Sequence, residues 1–229
     1  MTYPVTHFSA SSASTYLQCP AKWKYRYIDR LPETKSEALE KGTMVHKALE
    51  RYWTGSYGKP EQGIHRFVSA YRRMDGAVLP EQVQAVELEL RAELPGVDVP
   101  LLGYIDCYTT DGLVVDLKTA GKPWWNGRAV KELQPAMYTY LARANDLHVR
   151  GFEFHVLVNE AGTHVVDGWR IPVELDDDFI EEHLGRVVQA WRGIVAGEFP
   201  PRKSVLCGYC DFELVCGCGM GIEPRRGAR

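Results

Sequence analysis

Four cysteines divided between the two ends of the chain constrain its fold more than any other feature. Cys19 lies near the N-terminus, and Cys207, Cys210 and Cys216 lie near the C-terminus in a C-x2-C-x5-C spacing. Neither end alone supplies the four ligands of a tetrahedral thiolate site, so a chain that uses them must bring its ends together. Cys218 competes with Cys216 for the fourth position. Thiolate spacing suits Zn²⁺ as well as an iron–sulfur cluster.

Of the 229 residues, 45% are apolar and 25% charged, ordinary values for a soluble globular chain with a sizeable core. No apolar run is long enough to cross a bilayer. Met1 to Ser14 is polar and rich in Ser and Thr, without the regions of a signal peptide, so a cytoplasmic protein with no membrane partner is expected. Clustered cysteines in that compartment more often bind metal or do redox chemistry than form disulfides. The net charge of −3 does not advertise nucleic-acid binding. Residues 22 to 30 do, because Lys22, Lys24, Arg26 and Arg30 alternate with Trp23, Tyr25 and Tyr27. Cations neutralise phosphates and aromatic faces stack on bases. An amphipathic helix with cations over a buried aromatic face fits the same pattern.

Periodicity predicts an α/β chain. Residues 11 to 18 read as a short helix, and Pro20 starts a second. A helix is expected from Thr43, as N-cap, to Trp53, and another around Ile64, Phe67, Val68 and Tyr71. Val86, Leu88 and Leu90 then alternate with Glu87, Glu89 and Arg91, as in a half-buried strand; Glu87 and Glu89 share one side, with solvent exposure the expectation and an added metal contact the alternative. Residues 101–108 and 113–119 read as a hairpin around the Asp111-Gly112 turn. Residues 130–145 return to helical spacing, with Pro135 in the first turn or at a kink. Phe152 to Val158 and Val165 to Ile171 are two more strands. Asp176 to Asp178 open a long helix that Gly197 ends. The order implies a mixed sheet flanked by helices.

The hairpin carries the chemistry. If it is centred on Asp111, Asp106 stands opposite Asp116, and alternation puts Lys118 on the same face as Asp116. Two neighbouring carboxylates repel unless a cation lies between them, and Mg²⁺ or Mn²⁺ prefers such oxygen ligands. That arrangement suits phosphodiester hydrolysis, with Lys118 orienting water or offsetting charge on the phosphate. An isolated D-x-K is also a common cross-strand salt bridge. Cys107 is expected to be a buried small hydrophobe.

The motifs occur in a fixed order: Gly42-x3-His46, Gly103-Tyr104-Ile105-Asp106, Asp116-x-Lys118, Gln134-x3-Tyr138, and C-x2-C-x5-C. In that order, with Cys19, the chain resembles the PD-(D/E)xK nuclease superfamily, and within it the RecB-type branch of AddB and the CRISPR-associated exonucleases. The resemblance runs from Cys19 to Cys216. Ile105 replaces the family's proline, and Asp116 its glutamate. The resemblance implies a restriction-endonuclease-like α/β core and a single nuclease domain over residues 1–229. Its core is expected over 43–195, with 1–40 and 200–220 joined by a four-cysteine metal cluster.

It implies metal ligation by His46, Asp106, Asp116 and the Leu117 carbonyl, and catalysis by Asp106, Asp116 and Lys118 with Gln134 and Tyr138 beside the phosphate. Cys19, Cys207, Cys210 and Cys216 match the ligands of a [4Fe–4S] cluster, with Zn²⁺ the alternative. The implied activity is a Mg²⁺- or Mn²⁺-dependent exonuclease on single-stranded DNA, in repair, recombination, or phage or CRISPR DNA processing. Lys22, Arg26, Lys122 and Trp124 are candidates to hold DNA. The rival reading is a DNA-end-binding subunit of a helicase, recombination or integration complex. A zinc-ribbon transcription factor leaves the carboxylates unexplained.

Overall fold

The computed structural model describes residues 5–34, 36–58, 63–125, 127–160 and 163–217. Cys218, the basic tail around Arg225, and part of the Glu160-Ala161-Gly162 turn lie outside the described residues. The elements run α1 (Ala10–Gln18), α2 (Pro20–Tyr27), α3 (Glu37–Trp53), α4 (His65–Arg73), β1 (Val83–Leu94), β2 (Val97–Thr109), β3 (Leu113–Ala120), α5 (Gln134–Ala144), β4 (Gly151–Val158), β5 (Asp167–Val173), α6 (Asp177–Val195) and a last short turn, α7 (Glu213–Cys216). No helix among the described residues is long and apolar enough to cross a membrane.

The five strands form one sheet in the order β1-β2-β3-β4-β5. Only β3 and β4 run parallel, and α5 provides the crossover between them. The sheet is therefore mixed, as expected. One apolar cluster, with Phe8, Trp23, Met137, Phe152, Phe154 and Trp191, packs α1, α5 and α6 on one face. A second, with Val45, Leu49, Phe67, Tyr71 and Leu117, packs α3 and α4 on the other. Both faces of β3 and β4 are covered, which is why these strands read as near-continuous apolar runs.

Two expectations need correcting. The helix expected to start at Thr43 begins at Glu37, capped by Ser36, whose Oγ accepts the Leu39 N–H, with Glu37 and Glu40 in its first turn. His46 thus lies mid-helix rather than in the first turn. Gly42 is tolerated inside the helix because α3 passes close to β3: a methyl there would stand 3.2 Å from Thr119 Oγ1. The second correction concerns β1. Val86 packs in the α3/α4 cluster, while Leu88 and Leu90 belong to the opposite one, so the alternation breaks between them. The break is at Glu87, whose φ is 46°. The long C-terminal helix behaves as expected, with Asp176 as N-cap to Phe179 and Gly197 at φ 73° beyond its end.

Candidate active site

The β2–β3 hairpin turns at Asp111-Gly112, with Gly112 at φ 87°. Cys107 pairs with Val115 and Tyr108 with Val114, the register that sets Asp106 opposite Asp116. Regular pairing stops there. Asp106 instead turns its own Oδ2 onto the Leu117 N–H at 2.6 Å, replacing a ladder hydrogen bond with a charge-assisted one. The strands part at this point, and the opening is where the functional side chains gather.

Asp106 Oδ1 faces His46 Nδ1 of α3 at 3.4 Å. Across the β1–β2 pair, Val86 meets Cys107 and Leu88 meets Ile105, so Glu87 stands opposite Asp106. The left-handed backbone at Glu87 swings its carboxylate toward this site, and the ligand atoms of His46, Glu87 and Asp106 all lie within 4.8 Å of one another. A β-branched or bulky residue would resist this conformation, and such strain concentrates at functional sites. Glu87 was expected in solvent. No local sequence signal marks a glutamate with positive φ, so periodicity misplaced it. Glu89 does point to solvent, pairing with Arg91 and accepting from Tyr104.

Asp116 is 2% exposed. Its Oδ1 accepts from Gln134 Nε2 at 2.7 Å, and Gln134 also reaches the Tyr138 hydroxyl at 3.4 Å. Lys118 Nζ lies 2.6 Å from Oδ2 as an ion pair. Burial pushes the Asp116 carboxyl up to about 6, against the pull of Lys118 and with a push from Asp106. Burial and the Asp106 charge also raise Glu87. Burial alone would lower His46, but the hydrogen bond and charge of Asp106 outweigh it and raise it. The Tyr138 hydroxyl is held far above its usual range by burial and by Asp116, so it stays neutral.

Burial is the largest cause in each case, and neighbouring carboxylate charge adds to the shifts of Asp116, Glu87 and Tyr138, a charge that a divalent cation would offset. The donors fit: hard carboxylate oxygens, one imidazole, and the buried Asp116 carboxylate beside them. The grouping differs in detail from the sequence expectation. Asp116 is tied to Lys118 and Gln134, and the third member of the tight group is Glu87. The main chain of Leu117 lies against Asp106 through its N–H, while its side chain is buried toward α3.

The glycine of the Gly103-Tyr104-Ile105-Asp106 motif has a packing reason. A methyl at Gly103 would stand 2.7 Å from Leu141 Cδ1 and 2.9 Å from Tyr138 Cε1. Only glycine lets α5 lie close enough on β2 for Gln134 to reach Asp116.

A family model of the PD-(D/E)XK nuclease superfamily matches residues 7–83 and 61–217. The chain belongs to that superfamily. Among solved structures, an exonuclease, so named provisionally, from Eubacterium rectale matches at TM-score 0.61 and 17% identity, over 90% of this chain and 87% of that one. SSO0001 matches at TM-score 0.56 and 14% identity, over 95% and 89% of the two chains. Both likenesses establish the shared fold. No curated protein matches the sequence. As a superfamily member with this α/β core, the protein is a nuclease.

The cysteine ends do meet. Cys19, at the α1–α2 junction, lines one pocket with Cys207, Cys210 and Cys216. The Arg202 and Ser204 N–H groups donate to the sulfurs of Cys19 and Cys207 at 3.5 and 3.4 Å. Phe212, fully buried, closes the pocket with Tyr25. Cys107 is buried among apolar side chains, and its thiol is pushed up to about 12 by burial.

The other candidates are dispersed. Lys22 lines the cysteine pocket, and Arg26 forks onto Glu33. Trp23 is wholly buried, stacked on Phe199. Lys122 is exposed at the end of β3. Trp124 packs on Phe154, 5.0 Å between ring centres, whereas Trp125 is 56% exposed with Lys131 above its ring.

Proposed function

We propose that this protein is a Mg²⁺- or Mn²⁺-dependent exonuclease of the RecB type that degrades single-stranded DNA from an end. The observation that carries the reading is the juxtaposition of a three-donor group, His46, Glu87 and Asp106, with a buried Asp116 whose carboxylate is held by Gln134 and by a lysine 2.6 Å away. A divalent cation bound there would draw charge from the scissile phosphate and make a nearby water more acidic. Gln134 fixes the Asp116 carboxylate from below, with Tyr138 in support. Lys118 holds a positive charge beside Asp116, where it orients the attacking water or offsets charge on the phosphate. Trp125 and Lys122, beyond the catalytic strand, offer stacking and charge to bases and backbone.

The order of the motifs supports the RecB-type branch, and the clustered cysteines support a [4Fe–4S] cluster. Four cysteines facing one pocket, with N–H donors to two sulfurs, suit a thiolate-bound metal group, and the choice of [4Fe–4S] over Zn²⁺ rests on the family resemblance. Cys216 rather than Cys218 is taken as the fourth ligand.

The test is degradation of end-labelled single- and double-stranded DNA with and without Mn²⁺, alongside Asp116→Ala and Lys118→Ala. The reading expects Mn²⁺-dependent shortening from an end by the parent alone. Equal degradation by parent and both variants would refute the site. Tight binding without cleavage by the parent would favour the DNA-end-binding subunit. Anaerobic protein should be brown and contain iron, and a colourless protein with stoichiometric zinc would overturn the cluster.

A further inference from the structure

Two cations that the catalytic site does not use converge beside it. Lys41 lies in α3 before His46, and Arg66 in the first turn of α4. Lys41 Nζ donates to Asn159 Oδ1 at 2.7 Å, and Arg66 donates to the same oxygen at 3.1 Å. Asn159 follows β4 and is locked in place. Its main-chain N–H donates to the Ala120 carbonyl, and its side-chain amide donates to the carbonyls of Thr163 and Val165.

One neutral oxygen thus serves two positive charges. Neither cation forms an ion pair among the described residues, although Glu37 and Glu160 line the same cavity. Arg66 Nε is buried with no hydrogen-bond partner. Burial and the nearby Arg66 charge hold Lys41 below the usual lysine range. Packing accounts for the stems, since both cations lie on the Phe67 ring at 4.9 and 5.5 Å. It does not account for two like charges placed together, partly out of water, without an anion.

The space in front of them supplies a reason. A cavity of about 590 Å³ opens between Lys41, Arg66 and Asn159 and the end of β3 at Thr119 and Ala120. Thr119 and Ala38 also border the neighbouring groove, which holds His46 and Lys118. The cation pair therefore ends a depression that begins at the catalytic residues. We propose that Lys41 and Arg66, braced by Asn159, form a phosphate subsite that grips the nucleic-acid strand next to the scissile position. This rests on the nuclease reading and extends it to how the strand is held.

The experiment is steady-state cleavage of single-stranded oligonucleotides in Mn²⁺ over a salt series. It compares the parent, Lys41→Gln/Arg66→Gln, Lys41→Arg, and Lys41→Gln alone, which keeps a donor to Asn159 should the double variant fold poorly. The double variant is expected to raise KM about tenfold or more with kcat within about twofold, and to reduce the salt slope by ~0.7 for each phosphate no longer neutralised. Lys41→Gln should give a smaller KM rise in the same direction, and Lys41→Arg should restore the parent value. Substrates with phosphate or hydroxyl ends separate the two sources of the anion. A preference for the phosphorylated end that the double variant loses assigns a terminal phosphate, and equal losses on both ends assign a backbone phosphate. Parent-like KM and salt slope in the folded variants, with the parent cleaving normally, would overturn the subsite alone. A parent that neither binds nor cleaves DNA would overturn the nuclease reading, and the subsite with it.

Discussion

Gly103→Ala is the sharpest test of how packing positions the Asp116 carboxylate of the proposed site. The new methyl would stand 2.7 Å from Leu141 Cδ1 and 2.9 Å from Tyr138 Cε1. Carbon atoms in contact prefer ~3.5–4.0 Å, so about 1 Å of overlap must be relieved. The neighbours have little room, because Leu141 is fully buried and Tyr138 nearly so. Overpacking of this kind costs ~1–3 kcal/mol, and replacing a strand glycine returns ~0.5–1 kcal/mol, for a net loss of up to ~2.5 kcal/mol. Relief must push α5 away from β2. Gln134 then withdraws from Asp116 Oδ1, which it now holds at 2.7 Å. Displacements on the scale of 1 Å at such a site cost up to ~100-fold in rate, so kcat should fall about 10- to 100-fold. Urea unfolding and single-turnover DNA cleavage measure the two effects. Gly193→Ala is the control, since a methyl there collides with the Tyr16 ring far from the catalytic residues. It should lose stability while folded molecules keep their rate. A Gly103→Ala protein of parental stability and activity refutes the packing argument. Equal rate losses in both variants refute the link through Gln134.

Glu87→Gln should raise the Mn²⁺ concentration for half-maximal activity by ~10-fold or more, on the scale of losses at metal-site partners, and titration calorimetry should give the same shift. Glu153 is buried, accepts two hydrogen bonds from Arg170 at 2.7 and 2.6 Å, and faces His155 Nε2 at 3.1 Å. Burial opposes ionisation, but the Arg170 and His155 partners hold its carboxyl down at about 2. Its contribution to stability is therefore complete above the unfolded value near ~4.3 and lost as pH falls toward about 2. Glu153→Gln should flatten the acid limb of the stability–pH curve, and an unchanged limb would rule Glu153 out as its source. Trp125→Ala should weaken binding to single-stranded DNA by ~1–3 kcal/mol without changing the urea midpoint. Trp124→Ala should lower the midpoint, because that ring packs on Phe154.

Much of the β2–β3 hairpin was legible in the sequence because its determinants are local. A period of two, an Asp-Gly turn and the count of residues on each side are enough to set Asp106 opposite Asp116. The helix start was equally local but was set at Thr43, a residue with an N-cap side chain that lies inside the helix. The signal was Ser36 with Glu37 and Glu40 behind it. Glu87 had no such signal. Its conformation is imposed by the β1–β2 pair and the two clusters it must feed, so only the assembled sheet reveals it.

The sequence by itself determined the strand and helix order, the hairpin register, the motif set and the need for distant cysteines to meet, since these follow from short-range periodicity and ligand arithmetic. Tertiary structure decided that Glu87 joins His46 and Asp106, that Asp116 is buried under Gln134 and Lys118, and that Lys41 and Arg66 share one amide oxygen. Each of these depends on the approach of elements distant in the chain, and the energies that matter there, desolvation and charge–charge interaction, are set by distance and burial rather than by residue identity.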